Sequence, residues 1–168
     1  MKGIFLTILV TLCSIYSFSQ CIVIEKTDEF YGIKLRETNT VKIGKLGYVT
    51  EIKLLQSDTI YTMYVDFGDM SDCSVNKNDK IMFKSGTDIR SLKSEKLFIS
   101  KLEILPSTRI KVYKNYVYYP ISIADLDWLI NNNVEKIRIE HSTGFKDLEL
   151  KSNDGKIISD LAKCIKSK

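Results

Sequence analysis

The sequence predicts an α+β protein, an antiparallel β-rich meander followed by a C-terminal β-α-β-β-α segment. Short β-branched and aromatic runs follow one another from Cys21 to Ile121. Compact turn pairs such as Ser57-Asp58 and Ser85-Gly86 separate several of them, as antiparallel hairpins require. The rhythm then changes to helical spacing after Ser122.

The expected strands are Cys21–Lys26, Gly32–Glu37, Val41–Gly44, Tyr48–Gln56, Thr59–Phe67, Lys80–Lys84, Thr87–Leu92, Leu97–Leu105, Thr108–Lys114 and Tyr116–Ile121. Ser122-Ile123-Ala124-Asp125 is a capping-box-like helix start, because the serine oxygen takes a free backbone N–H and Asp125 sits near the positive end of the helix dipole. Ile123, Leu126, Leu129 and Ile130 form one apolar face, and Asn131–Asn133 close the helix through the left-handed conformation asparagine tolerates. Val134–His141 and Phe145–Lys151 follow as a hairpin across Ser142-Thr143-Gly144. A second helix is expected after Asn153-Asp154-Gly155, running to about Lys166 with Ile157, Ile158, Leu161, Cys164 and Ile165 inward.

Of the 168 residues, the first 19 read as a signal peptide and residues 20–168 as a single domain. Lys2 supplies a positive start, and the apolar run Ile4–Tyr16 is shorter than the ~20 residues a membrane-crossing helix needs. Ser17-Phe18-Ser19 then offers small residues to a signal peptidase, leaving Gln20 as the mature N-terminus. Cys21 raises lipidation as the alternative. The residues before it, Gln20 and Phe18, depart from the small and aliphatic ones such a signal carries, so removal is preferred. The expected location is exported: periplasm, outer envelope or extracellular space, with membrane attachment only if Cys21 is lipidated.

Cleavage removes one cation and leaves 24 basic against 21 acidic residues, a net of +3 that argues for no nucleic-acid partner. Residues 80–114 carry nine basic and three acidic groups, so the middle of the chain is locally positive. Cys21, Cys73 and Cys164 remain, an odd number for an oxidising compartment, which implies one bridge and one leftover thiol. Cys21 opens the first strand and Cys164 lies on an inward helical stripe, so the expected disulfide is Cys21–Cys164. The spacings match no zinc pattern, and no metal or cofactor is expected.

Motifs that carry chemistry are scarce. His141 is the single histidine, expected beside Ile137 and Ile139 at a strand end, with no Gly-x-Ser-x-Gly elbow to build a triad on. Asp66, Asp69 and Asp72 lack the alternating spacing of a calcium loop and read as a solvated turn. Gly44-Lys45-Leu46-Gly47 mimics a nucleic-acid clamp but lies between strands. The most informative stretch is Thr108 to Pro120. A two-residue turn at Lys114-Asn115 would face Tyr113 with Tyr116, Lys111 with Tyr118 and Arg109 with Pro120. Arg109, Lys111, Tyr113, Tyr116 and Tyr118 would then form a basic-aromatic strip suited to a glycan, an acidic polymer or a protein. Ordinary outward strand positions carry the same residue types. Trp128 projects away from the main helical stripe, either as an exposed anchor or packed on a neighbour.

The N-terminus with its cysteine, Asp28-Glu29-Phe30-Tyr31-Gly32, the hairpin Ile81-Met82-Phe83-Lys84-Ser85-Gly86-Thr87, Ile137-Arg138-Ile139 and Lys163-Cys164-Ile165 resemble the layout of small uncharacterised exported proteins of the Bacteroidota type. That resemblance implies no activity and transfers no site residue. The functional expectation is a non-catalytic binding domain of the envelope or exterior, contacting a protein or glycan through Arg109, Lys111, Tyr113, Tyr116, Tyr118 and Trp128. The alternative is an envelope hydrolase or transferase assembled around His141 from residues distant in sequence.

Overall fold

Alternation of apolar and polar residues builds two antiparallel sheets around one core. The computed structural model describes residues 22–29, 31–44, 49–105 and 109–167. Its strands are β1 (Val23–Thr27), β2 (Lys34–Thr38), β3 (Val41–Ile43), β4 (Thr50–Ser57), β5 (Ile60–Asp69), β6 (Lys80–Ser85), β7 (Asp88–Lys93), β8 (Lys101–Ile104), β9 (Lys111–Ile121), β10 (Lys136–His141) and β11 (Gly144–Glu149). The helices are α1 (Ile123–Asn131) and α2 (Ser152–Lys166). The fold is therefore the expected α+β, mostly antiparallel sheet with late helices.

A seven-stranded sheet runs β1-β2-β4-β5-β9-β8, with β3 also paired to β4, and a four-stranded sheet runs β11-β10-β6-β7. In the larger sheet Ile52, Val65 and Val117 lie side by side, as do Leu54, Met63 and Tyr119. All six are buried in one hydrophobic cluster with Ile81, Phe83, Ile137 and Ile139 of the smaller sheet and with Leu126, Leu129, Ile158, Leu161 and Ile165 of the helices. Because side chains alternate along a strand, this inner face fixes by elimination which residues face out.

The expected capping box is present: Asp125 N donates to Ser122 Oγ at 3.1 Å, and Ser122 N to Asp125 Oδ2 at 3.0 Å. The exit of α1 differs from expectation. Asn132 is extended rather than left-handed, and the amides of Asn131 and Asn132 instead donate to the Asp127 and Trp128 carbonyls, each at 2.8 Å. Ile123 is exposed, so the buried stripe is narrower than predicted. Helix α2 begins at Ser152, before the Asn153-Asp154-Gly155 expected to precede it. The glycine there serves packing, not helix breaking: a Cβ at Gly155 would stand 2.1 Å from the Val134 carbonyl oxygen. Asp58 (φ 51°) and Gly86 (φ 57°) bend two hairpins whose turns lie one residue later than predicted.

The largest correction concerns Lys114-Asn115, which is no turn. β9 runs unbroken from Lys111 to Ile121 along β5, with Lys114 opposite Gly68 and Asn115 opposite Phe67. A tight hairpin would need positive φ there, and neither residue has it. Asn115 is wholly buried, and its Nδ2 donates to Cys73 Sγ at 3.2 Å. The hairpin partner of the first part of β9 is β8.

Candidate functional site

A continuous β9 divides the predicted strip between two faces. Tyr116 and Tyr118 share the outer face of the larger sheet, whereas Lys111 and Tyr113 fall on the opposite side, Tyr113 beside Asp69. Arg109 lies in the turn before β9 with φ 55°, at the other end of the strand from Pro120. Trp128 packs partly buried against the core, its indole Nε1 donating to Asp88 Oδ2 at 3.3 Å. The expected contiguous strip is therefore replaced by a different constellation, led by a residue the sequence reading did not single out.

That residue is Tyr64, directly across from Tyr118 on β5. Their rings stand 5.3 Å apart at 58°, the tilted arrangement aromatic pairs prefer, and Phe98 approaches Tyr118 at 6.1 Å. Tyr118 remains 42% exposed. Beside the pair lies a groove of about 290 Å³ lined by Ile24, Leu35, Leu55, Thr62, Tyr118 and Lys26, among others. The alternation Tyr64, Asp66 against Met63, Val65, Phe67 was the available signal, since it marks the outer residues of β5.

Two carboxylates on this face, Glu37 and Asp66, are compensated by lysines. Glu37 accepts from Lys53 at 2.9 Å and from Lys26 at 3.2 Å, and those two ammonium groups, Lys53 first, hold its carboxyl below the usual range. Asp66, read from sequence as part of a solvated turn, is instead buried and paired through Oδ2 with Lys114 Nζ at 3.0 Å. Burial raises the Asp66 pKa despite the lysine, while the carboxylate raises that of Lys114 against the opposing effect of its own burial. The pair thus favours the ammonium more than it repays the carboxylate, whose Oδ1 has no hydrogen-bond partner among the described residues. Asp69 and Asp72 are used elsewhere, accepting from Ser71 and Ser100, so the three acids do not converge. Among the described residues no group of three or more metal-binding side chains occurs.

The tyrosine hydroxyls are held neutral. Tyr64 is pushed up to about 12 by burial and the nearby Asp66 charge. Tyr116 donates to Glu103 Oε1 at 2.5 Å, and that bond, helped by burial, raises its pKa as well. Lys53 and Lys101 lie 5.2 and 5.9 Å from the Tyr64 and Tyr116 ring centres. The face thus offers neutral aromatic and aliphatic area rimmed by paired charge, a surface for contact rather than for anion capture.

The locally positive stretch 80–114 forms no single patch. Its Arg90 bonds Asp125, its Lys114 bonds Asp66, and its strands belong to different sheets. The outer face of the smaller sheet has a groove of about 230 Å³ lined by Met82, Lys84, Ile89, Lys136 and Arg138. There Asp147 takes both Arg138 and Lys136, and Arg138 lies 3.9 Å over the Phe145 ring.

His141 is 9% exposed on the same side of β10 as Ile137 and Ile139. Its ring lies 6.1 Å from Phe67, Nδ1 meets Thr143 Oγ1 at 3.1 Å, and Nε2 has no hydrogen-bond partner among the described residues. Nearby, half-buried Lys146 donates to the Gly68 carbonyl at 2.7 Å. Cys73 is a free thiol, 1% exposed, with its pKa raised by burial, which leaves it protonated and shielded. Cys164 is disulfide-bonded, but no disulfide joins two described cysteines. Cys21, the signal segment 1–19 and the Lys45–Gly47 part of the glycine motif lie outside the described residues.

No helix of the described residues is long and apolar enough to cross a membrane. Compared with known protein families, with curated proteins and with solved structures, the chain gives no match.

Proposed function

We propose that this is an exported, non-catalytic contact domain that docks a protein segment on the outer face of its larger sheet. The observation that carries the reading is the Tyr64–Tyr118 pair, partly exposed beside a groove floored by Ile24, Leu35 and Leu55. Aromatic pairs next to aliphatic grooves supply contact area at low entropic cost, the composition of interface centres. Glycan recognition is less well served, because it needs free polar groups around an aromatic ring, and Glu37, Asp66 and Glu103 are all engaged. A hydrolase or transferase around His141 would need substrate to reach a ring that is buried against Phe67.

Panning a displayed peptide library and a glycan array against the mature domain tests the docking reading. Peptides should be enriched, and Tyr118→Ala should weaken them at least about tenfold, the size expected for a central aromatic anchor. Enrichment of glycans alone would replace the partner class, and binding indifferent to both Tyr64→Ala and Tyr118→Ala would overturn the site.

Export, signal removal after Ser19 and a Cys21–Cys164 bridge belong to the same proposal. They are supported by the sequence of residues 1–21 and by Cys164 being bonded while Cys73 is free. Intact mass of the natively expressed protein should show a chain starting at Gln20, one disulfide and no acyl group. An acyl mass would make it a lipoprotein, and an untrimmed, fully reduced chain would refute export.

A further inference from the structure

We infer that the free edge of β8 pairs with β8 of a second copy in an antiparallel, two-fold arrangement that sets Lys101 of each chain opposite Glu103 of the other. β8 is an outermost strand of the larger sheet. Its hydrogen-bonding phase can be read from its flanks. Leu105 N donates to the Ile110 carbonyl at 2.9 Å, so the backbone groups of Leu105, and by alternation of Glu103 and Lys101, point towards β9. Those of Leu102 and Ile104 point away. Phe98, in the same even phase, exchanges backbone bonds with Val75 at 2.8 and 2.9 Å. Phe98 is thus covered by Val75, whereas on the edge of β8 away from β9 no described strand is paired.

This edge is apolar on one side and charged on the other. Leu102 is 52% and Ile104 60% exposed, flanked by exposed Ile99. An edge strand with open backbone groups and apolar side chains is a template for pairing unless something repels the incoming chain. Lys101 and Glu103 decide what is repelled. Both lie on the outer face beside Tyr116, and among the described residues neither makes an ion pair.

Strand phase leaves few registers. Only residues whose backbone faces outward can form the hydrogen-bonded pairs, so a one-residue slip is barred. With Leu102 opposite its own copy, Lys101 and Glu103 of the two chains meet twice in close, non-hydrogen-bonded pairs, Cα atoms about 4.5 Å apart. With Leu102 opposite Ile104, Glu103 would instead meet Glu103, which like-charge repulsion disfavours. The occupant that fits both the backbone phase and the charge order is therefore another copy of this chain. A two-fold axis perpendicular to the sheet also keeps both tyrosine faces on one side of a continuous sheet. Four-residue strands bury little area, so the dimer belongs to the weak, concentration-dependent class. The inference does not rest on the tyrosine face binding anything.

Charge exchange tests it in the full mature chain by sedimentation velocity across a concentration series. Lys101→Glu alone and Glu103→Lys alone should each weaken self-association about tenfold, since both pairs become like-charged. An equimolar mixture of the two variants should associate again as a heterodimer, as should the doubly exchanged chain alone. Circular dichroism checks that each variant keeps its sheet content. A wild type that stays monomeric to its solubility limit, single variants that associate as tightly as wild type, or a mixture that stays monomeric would each overturn the proposal.

Discussion

The two faces of β5 and β9 are made of the same strands and held by different physics. Inward, Met63, Val65 and Phe67 meet Tyr119, Val117 and Asn115 at almost complete burial. Outward, Tyr64 and Asp66 meet Tyr118 and Tyr116, and charge and partial exposure replace packing. The inner face determines stability because large side chains there have no water to return to. The outer face leaves Tyr118 partly exposed, while its buried Asp66–Lys114 pair still contributes to the fold.

Breaking the inner face should cost most. Phe67→Ala removes a fully buried ring flanked by Thr50, Asn115 and His141, and denaturant unfolding should show a loss of about 3–5 kcal/mol. Lys114→Met sharpens the comparison, because it strips the cation from the buried outer carboxylate of Asp66; we expect a loss of about 1–3 kcal/mol at neutral pH. The sign with pH is fixed by Asp66. Its folded-state pKa is raised, so its contribution is most favourable in acid and is lost as pH rises through that value. The Lys114→Met deficit should therefore shrink as pH falls, since a protonated Asp66 needs no cation. Unfolding titrations at neutral and acid pH measure it.

Asp147 behaves oppositely. Arg138, then Lys136, hold its carboxyl down to about 2 from the ordinary 3.8, so its stabilisation is present above about 4 and is lost as pH falls through about 2. Asp147→Asn should flatten the acid limb of the stability profile in that window and leave its shape at neutral pH unchanged. The smallest effect belongs to Tyr118→Ala, which should lower the unfolding free energy by about 0.5–1.5 kcal/mol, the worth of its ring contacts with Tyr64 and Phe98. A loss comparable to that of Phe67→Ala would mean the outer face is part of the core.

The sequence made most of this architecture readable because each face repeats every second residue and the first helix announces its start. Ser122 with Asp125 is local chemistry and was legible. Asn115 was not, since its amide is buried on a cysteine 42 residues away and only tertiary structure reveals that it sits mid-strand. That one misplacement reversed the facing of half the strip, sending Tyr113 and Lys111 to the other side. Gly155 was misplaced for a similar reason: a close approach to Val134 and a turn before a helix use the same residue. Tyr64 and the Ile24–Leu35–Leu55 floor were missed because five separate strands, β1, β2, β4, β5 and β9, line that groove.

Photo-crosslinking tests the contact surface most directly. A benzophenone amino acid placed at Tyr118, and in parallel at exposed Lys156 on α2, can be activated in the producing cells. The account predicts discrete protein adducts from position 118 and none of comparable yield from position 156. Equal adducts from both positions, or none from position 118, would contradict it.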